Sequence, residues 1–544
     1  MKENQFDVIV FGTGLVESIT AAALAKAGYK IAHIDTNAYY GGDEASLSLE
    51  EIVTWVDQHS GPSDLSSRFY RASRSAQPPS QSRQYSICLQ PAVLPSVGPL
   101  INALVASGVS KYSGFRLVDC VSVYEPSGRV SSVPGSKEDI FKNKEIGLIE
   151  KRRLMRFLTF AAGDFETAKE LEGKQEVPFV EFLRTTFSLG ETISSVLAYA
   201  LAFSSSSTET TLPVLHRLRG YLRSSGRYGP SPFLIGHYGC LGDISQGFCR
   251  AAAVSGGVYI LGREIKSISK APTRPLVSTP DDNGISELKT DQPFNYHVEL
   301  ADFPDTLECS LLISSPGFLP NVIQSEALRI PQVRSQDSSK LIARCIAIID
   351  TPISLRSPSD SNTQDESQSL EVQPTDTGIL VFPPSSMQGG STTHSATVLL
   401  VGEGSMSTPK GKSLVYIGLP LGEEPETSPE DVLKPYLDVV LSLSVNSSIP
   451  SIQPLFTAHY FEKPPSFLSP ERSSSSQATC LIPPPLQFAP LPDFADVATE
   501  HAERTYGKAV EYLRIIRTLE GDEEEEVAFW PPLPIDPNDE DDEW

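Results

Sequence analysis

The sequence predicts an α/β fold in which a sheet domain of the dinucleotide-binding type carries an inserted, all-helical lobe. A β-α-β unit opens the chain: an apolar strand over 6–11, a helix that ends near Gly28, and a second strand that ends at Asp35. Further along, over 134–227, glycine and β-branched residues become rare, and apolar residues recur at the three- to four-residue spacing of amphipathic helices. The domains we expect are a discontinuous sheet domain over 1–133 and 228–520 and a helical lobe over 134–227.

The remaining elements follow from local pattern. A helix over 244–255 and a strand over 258–261 return the chain to the sheet domain, and an apolar stripe predicts a last helix over 494–518. Three segments are poor in apolar residues or strongly charged, and we expect them to be irregular or disordered. They are a loop over 60–84, an insertion over about 355–395 and an acidic tail over 521–544.

Composition and charge exclude several classes of function. The 544 residues carry a net charge of −24, which argues against nucleic acid as a partner. The seven cysteines show no metal-ligand spacing and indicate reduced thiols in the cytoplasm, so we expect no metal site. There is no apolar run long enough to span a membrane. Residues 522–544 carry eleven acidic side chains and no Lys or Arg. This composition indicates either a solvated extension or a contact for a basic partner segment.

The first strand leads into a dinucleotide fingerprint with one unusual position. Gly12 suits the tight turn, Gly14 allows a pyrophosphate to approach the helix N-terminus, and Asp35 has the spacing of a ribose ligand. The third glycine of the motif is replaced by Glu17, whose negative charge would face a cofactor phosphate. A flavin or nicotinamide oxidoreductase is therefore the less favoured alternative, and we find no catalytic signature elsewhere in the chain.

Three stretches of the first 265 residues resemble one known family, the superfamily of Rab GDP-dissociation inhibitors and Rab escort proteins. The first stretch, over 6–45, contains the glycine turn with Glu17 and the Tyr-Tyr-Gly-Gly sequence at 39–42. The second runs from Arg-Tyr-Gly at 227–229 to Gly-Gly-Val-Tyr-Ile at 256–260, and the third is the helix start at 150–160.

The resemblance implies a flavoprotein-like fold that binds small GTPases and holds no cofactor, with Glu17 as a normal family residue. It implies a helical lobe that shelters a geranylgeranyl group and a transient, peripheral contact with membranes. It also implies a platform for GDP-bound Rab GTPases, in which Asp243 replaces the glutamate that is usual in the family. Carried over by position, the platform residues are Tyr40, Asp243, Gln246, Arg250, Val258 and Ile260.

The pair Phe141 and Arg152 distinguishes the two branches of this superfamily. In escort proteins a phenylalanine, with an arginine eleven residues later, docks the protein onto the α-subunit of the α/β dimer of Rab geranylgeranyl transferase, whereas the inhibitors keep the arginine and have a small residue in place of the aromatic one. The resemblance therefore favours an escort protein, a non-catalytic accessory component of the transferase. The length of the chain and its insertions at 60–84 and 355–395 agree with this. A dissociation inhibitor that recycles prenylated Rab is the alternative.

Overall fold

The fold was analysed in a computed structural model, which describes residues 3–61, 68–133, 146–271, 294–332, 341–356, 373–445, 452–463, 478–520 and 528–530. The strands are β1 (Gln5–Phe11), β2 (Ile31–Asp35), β3 (Ser46–Leu47), β4 (Phe69–Arg74), β5 (Ile87–Cys88), β6 (Leu94–Pro95), β7 (Phe115–Leu117), β8 (Cys120–Tyr124), β9 (Val130–Ser132), β10 (Phe233–Gly236), β11 (Val258–Leu261), β12 (Ile265–Lys270), β13 (Tyr296–Leu300), β14 (Leu307–Ser314), β15 (Leu328–Arg329), β16 (Leu341–Ile349), β17 (Thr377–Phe382), β18 (Ala396–Val401), β19 (Ser413–Leu421), β20 (Phe456–Glu462) and β21 (Cys480–Ile482). The α-helices are α1 (Leu15–Lys26), α2 (Leu49–Gln58), α3 (Pro99–Ser107), α4 (Leu148–Ala162), α5 (Phe179–Thr186), α6 (Glu191–Ser195), α7 (Thr211–Ser224), α8 (Leu241–Val254), α9 (Asn321–Glu326), α10 (Pro429–Ser442) and α11 (Phe494–Glu520).

The first sheet is built around β1 and confirms the predicted β-α-β unit. Its strand order is β11-β2-β1-β14-β13-β12; β21 also pairs with β14, and β15 pairs with β21. Strands β11, β2, β1 and β14 are parallel. The carboxyl ends of these strands therefore meet at one edge, where ligands usually bind in such folds. Helix α1 packs between this sheet and helices α8 and α11, so the turn before α1 and the start of α8 are neighbours.

The second sheet corrects two of the sequence predictions. Its order is β4-β20-β16-β19-β18-β17-β8-β9, and it packs against α10. The predicted disordered insertion over 355–395 is wrong for 373–395, because β17 is a buried strand between β18 and β8; residues 357–372 lie outside the described part. The predicted loop over 60–84 is wrong for Phe69–Arg74, because β4 pairs with β20 at the sheet edge, while residues 62–67 lie outside the described part. Strand β4 has its partner β20 far away in the chain, and β17 pairs with the distant β8 as well as with the next strand, β18.

Helices α4 to α7 form a helical region around an aromatic core, as the periodicity predicts. Phe157, Phe179, Phe182 and Phe187 are buried, and their ring centroids lie 5.2 to 6.5 Å apart in the contacts they make with one another. The segment Val196–Leu201 between α6 and α7 is a π-helical turn. Such turns occur most often at functional sites, because they widen the helix locally and weaken its backbone hydrogen bonding.

The last helix, α11, extends slightly beyond the predicted span of 494–518 and is followed by an ordered contact. The Tyr506 hydroxyl donates to the carbonyl of Ala528 at 2.9 Å, and the Trp530 ring stacks on Phe248 of α8 with centroids 5.9 Å apart. The prediction of a disordered tail over 521–544 is therefore wrong for 528–530, while its other residues lie outside the described part. Among the described helices, none is both long and apolar enough to cross a bilayer.

Candidate functional site

The turn between β1 and α1 has the backbone of a dinucleotide site. Gly12 has a φ of +89°, which favours glycine, and its carbonyl oxygen contacts Nε2 of His33. Burial lowers the pKa of His33 to about 4, so the imidazole is neutral. Gly14 is the N-cap of α1, and the first free N–H groups of that helix point to the position where a diphosphate binds in nucleotide-binding relatives of this fold.

Two carboxyl groups of the chain itself occupy this position. The backbone N–H of Leu15 donates to Oε2 of Glu44 at 3.1 Å. A methyl group on Gly14 would lie 2.7 Å from Oε2 of Glu17 and 3.0 Å from Oε2 of Glu44, so both side chains converge on the glycine. Burial raises the pKa of Glu17 to about 7 and that of Glu44 to about 8. Coulomb repulsion adds to this: Asp35 and Asp43 raise the pKa of Glu17, and Asp43 and Glu17 raise that of Glu44, which the guanidinium of Arg68 partly offsets.

Asp35, the expected ribose ligand, is also engaged within the protein. It is buried, and it accepts hydrogen bonds from the backbone N–H of Thr13 at 2.8 Å, the hydroxyl of Thr13 at 2.6 Å and the backbone N–H of Asn37 at 2.8 Å. A flavin or nicotinamide dinucleotide would place its diphosphate against two acidic side chains and its ribose against a carboxylate that already has three donors. The residues of this turn therefore do not fit a dinucleotide cofactor.

Four of the six predicted platform residues lie together beside this turn. Tyr40, Asp243, Gln246 and Arg250 line one open depression of about 420 Å³. Asp243, Gln246 and Arg250 share a face of α8 because they are three and four residues apart, and Tyr40 comes from the turn after β2. Burial raises the pKa of Asp243, while His237 lowers it.

The other two predicted residues are placed differently. Val258 and Ile260 lie on β11, the edge strand, and alternate with Tyr259, which lines the depression. Successive side chains of a strand point to opposite faces. Ile260 accordingly packs against the apolar core on the far face of the sheet, and Val258 is 41% exposed. Both are near the depression but do not line it.

Two aromatic residues that the sequence predictions missed complete the depression. The guanidinium of Arg250 lies over the ring of Tyr112 at 4.8 Å, and the Tyr112 hydroxyl donates to the carbonyl of Gly247 at 3.2 Å. The ring of Tyr40 meets that of Tyr259 edge-on, with centroids 5.9 Å apart. Tyr112 follows α3 and has no local motif, so its place beside α8 is visible only in the folded chain. Alternation along β11 could have indicated Tyr259.

The predicted docking pair is only partly within the described residues. Phe141 lies outside them, whereas Arg152 is exposed on α4. Leu148 and Ile149, in the first turn of the same helix, are 79% and 67% exposed. Leu148 is four residues before Arg152, so these two side chains share one helix face. No group of three or more His, Cys, Asp or Glu side chains suited to a metal occurs in the described part of the chain.

Comparison with known proteins gives the relationships of this chain. The Rab proteins geranylgeranyltransferase component A of Drosophila melanogaster is 32% identical over 337 residues, which cover 58% of this chain and 60% of that protein. The component A of Saccharomyces cerevisiae is 28% identical over 418 residues, or 76% of this chain and 61% of that protein. The chain thus spans about three fifths of the length of these curated relatives.

A solved structure, the Rab GDI of Plasmodium falciparum, aligns with a TM-score of 0.61 at 19% identity, covering 93% of this chain and 98% of that one. This similarity confirms the predicted fold class, a flavoprotein-like sheet domain with a helical lobe. The sequence profile of the family described as GDP dissociation inhibitor matches residues 1–368. More than half of the chain is matched, and the protein belongs to the GDP dissociation inhibitor family.

Proposed function

We propose that this protein is a Rab escort protein, an accessory component of Rab geranylgeranyl transferase that performs no bond chemistry itself. The observation that carries the proposal is the convergence of Tyr40, Asp243, Gln246 and Arg250 in one open depression. The names of the Drosophila and yeast relatives support the same function. Because the matched regions cover less than two thirds of those relatives, the Rab and transferase partners are part of the proposal.

Arg250 is the group in the depression best suited to hold a protein partner. It is exposed, and within the described residues it has no carboxylate partner, so its planar fork is available for a carboxylate or carbonyl oxygens of a GTPase. Tyr112 stacks under the guanidinium and restricts its rotamers, which lowers the entropy lost on binding. Tyr40 adds a rigid amphipathic contact at the other side.

The exposed face at the start of α4 is the proposed transferase contact. Leu148, Ile149 and Arg152 combine two exposed apolar side chains with a cation. Arginine is enriched at interface hot spots, and the two exposed apolar side chains beside it supply apolar surface that a partner could bury. Phe141 is the proposed aromatic anchor on the preceding segment. This assignment comes from the resemblance, and the exposure of Leu148 and Ile149 supports it.

The helical region is the proposed shelter for the geranylgeranyl group. We also propose that the protein is cytoplasmic and delivers prenylated Rab to membranes through peripheral contact only. The aromatic core of the helical region is apolar and buried, so a prenyl chain that enters between its helices would gain about 0.8 kcal/mol per buried methylene. The π-helical turn Val196–Leu201 is a place where helices could separate to admit the chain.

Prenylation in vitro tests the proposal and separates it from the alternative. With purified transferase, prenyl donor and Rab-GDP, the protein is expected to support Rab prenylation, whereas a dissociation inhibitor would bind prenylated Rab without supporting the reaction. Phe141→Ala is expected to lower the prenylation rate at limiting transferase while Rab-GDP affinity stays unchanged. No prenylation with the unmodified protein, in a reaction that an authentic component A drives, would refute the escort assignment.

The second alternative, a flavin-dependent oxidoreductase, is tested by absorbance. The two carboxyl groups at α1 argue against a bound dinucleotide, so we expect the purified protein to show no flavin bands above 300 nm. A stoichiometric flavin spectrum that persists through gel filtration would contradict the assignment.

A further inference from the structure

The turn over 39–45, which carries Tyr40, closes over the N-terminus of α1 and is attached to it at two points. At one point the backbone N–H of Gly41 donates to both the carbonyl and the hydroxyl oxygen of Thr13, at 3.1 and 3.0 Å. At the other, the carboxyl group of Glu44 accepts from the N–H of Leu15 at 3.1 Å. Tyr40 directly precedes the first attachment, so its position depends on how the turn is held.

Burial of the Glu44 carboxyl group is unfavourable for stability, which indicates that this side chain has a specific role. It is only 5% exposed, and its neighbours include the carboxyl groups of Glu17 and Asp43 as well as the guanidinium of Arg68. Arg68 forms ion pairs with Asp43 and Glu462, both at 2.7 Å, whereas Glu44 accepts the hydrogen bond from the start of the helix. Burying an acid among other acids lowers the stability of the fold. Its presence here therefore indicates that the hydrogen bond it makes has a function.

We propose that Glu44 is a positioning residue for Tyr40: its carboxyl group takes the place of a cofactor diphosphate at the N-terminus of α1 and thereby fixes the turn that presents Tyr40 to the GTPase. In a dinucleotide-binding protein of this fold, the pyrophosphate of the bound cofactor sits at the N-terminus of this helix. In this chain the acid at position 44 fills that space permanently, so the platform has its binding geometry without a ligand. The inference rests on the proposed function, because it concerns the Rab platform.

The test is the affinity for unprenylated Rab-GDP, measured by titration of a fluorescent Rab. Glu44→Ala is expected to weaken binding about five-fold, the effect of losing one capping hydrogen bond. Glu44→Gln keeps an acceptor oxygen for the Leu15 N–H and is expected to stay within about two-fold of the unmodified protein. Glu50→Ala, an exposed acid in the first turn of α2, is the matched control and is expected to have no effect.

A double-mutant cycle separates positioning from general destabilisation. If Glu44 acts through Tyr40, Glu44→Ala has no further effect in a Tyr40→Ala background, whereas its effect adds fully to that of Arg250→Ala. An equal loss in both backgrounds, or no loss from Glu44→Ala, would refute the inference. If Glu44→Ala does not fold, Glu44→Asp, with its shorter reach, replaces it in the same cycle and is judged by the same criterion.

The reference variants keep this inference distinct from the proposed function. If Tyr40→Ala and Arg250→Ala both leave Rab-GDP binding unchanged, the platform itself is wrong. If both weaken binding and Glu44→Ala does not, the platform stands and only the positioning role is refuted.

Discussion

The N-terminus of α1 and the platform on α8 are adjacent, but their charged groups are treated in opposite ways. At α1 the acids are used internally: Asp35 has three donors from the protein, and Glu44 caps the helix. On α8, Arg250 is exposed and stacks on Tyr112 without a carboxylate partner among the described residues. The difference indicates that the first region maintains the fold and that the second is free to bind, although a nucleotide-binding fold would lead one to expect the reverse.

Removing the Arg250 side chain should give the largest effect on Rab binding, and it tests whether the platform on α8 binds the GTPase. Arg250→Ala is expected to weaken Rab-GDP binding by at least about ten-fold, because central arginines with restricted rotamers are typical hot spots. Its melting temperature should be unchanged, since the side chain is exposed. Arg152→Ala, on the exposed face of α4, is the matched control: it should retain Rab-GDP affinity and lose transferase binding. Equal loss of both activities in both variants would indicate misfolding instead of two separate surfaces.

The pH dependence of stability tests whether the acids at the N-terminus of α1 are used within the fold. Burial raises the pKa of Glu17 to about 7 and of Glu44 to about 8 in the folded state, above the usual 4.5. At these two groups the folded protein therefore binds more protons than the unfolded chain between about pH 4.5 and 8, and their contribution to the unfolding free energy should fall as the pH rises through this range. The slope is at most about 1.4 kcal/mol per pH unit for each proton.

Denaturant titrations at several pH values measure this slope. The double variant Glu17→Gln, Glu44→Gln removes both titrating groups and should make the slope of unfolding free energy against pH less negative over this range, whereas Glu50→Gln, on the exposed start of α2, should leave the slope unchanged. An unaltered slope in the double variant would mean that these two acids are ionised in the folded protein and that their burial does not control stability.

Tyr112 should have a smaller effect, because it acts on the partner only through Arg250. Tyr112→Ala is expected to weaken Rab-GDP binding about three-fold through loss of the cation–π contact, which is worth about 0.5–1 kcal/mol at an exposed site. Tyr112→Phe keeps the ring and should retain most of the affinity. In an Arg250→Ala background, Tyr112→Ala should have no further effect, and a persistent three-fold loss there would show that Tyr112 contacts the partner directly.

The parts of this comparison that were predictable from sequence are those that are contiguous in the chain. The glycine turn and the shared face of Asp243, Gln246 and Arg250 follow from local spacing, because a strand and a helix fix the positions of near neighbours. The cap from Glu44 to Leu15 and the stacking of Tyr112 on Arg250 join separate segments, and no local pattern records them. The prediction of disorder over strand β17 is wrong for a related reason, since its short apolar run is stabilised by pairing with β18 and with the distant strand β8.

Val258 should give the smallest effect and shows where the family resemblance and the geometry differ. The resemblance includes Val258 in the platform, but it alternates with Tyr259 and lies off the depression. We therefore expect Val258→Ala to change Rab-GDP affinity by less than about two-fold, as for most contacts outside a hot spot. Ile260→Ala should instead lower the unfolding free energy by about 1–2 kcal/mol, because Ile260 packs on the far face of the sheet. A loss of affinity from Val258→Ala as large as that from Arg250→Ala would mean that the GTPase covers the edge of β11 as well, and that the platform is wider than the depression.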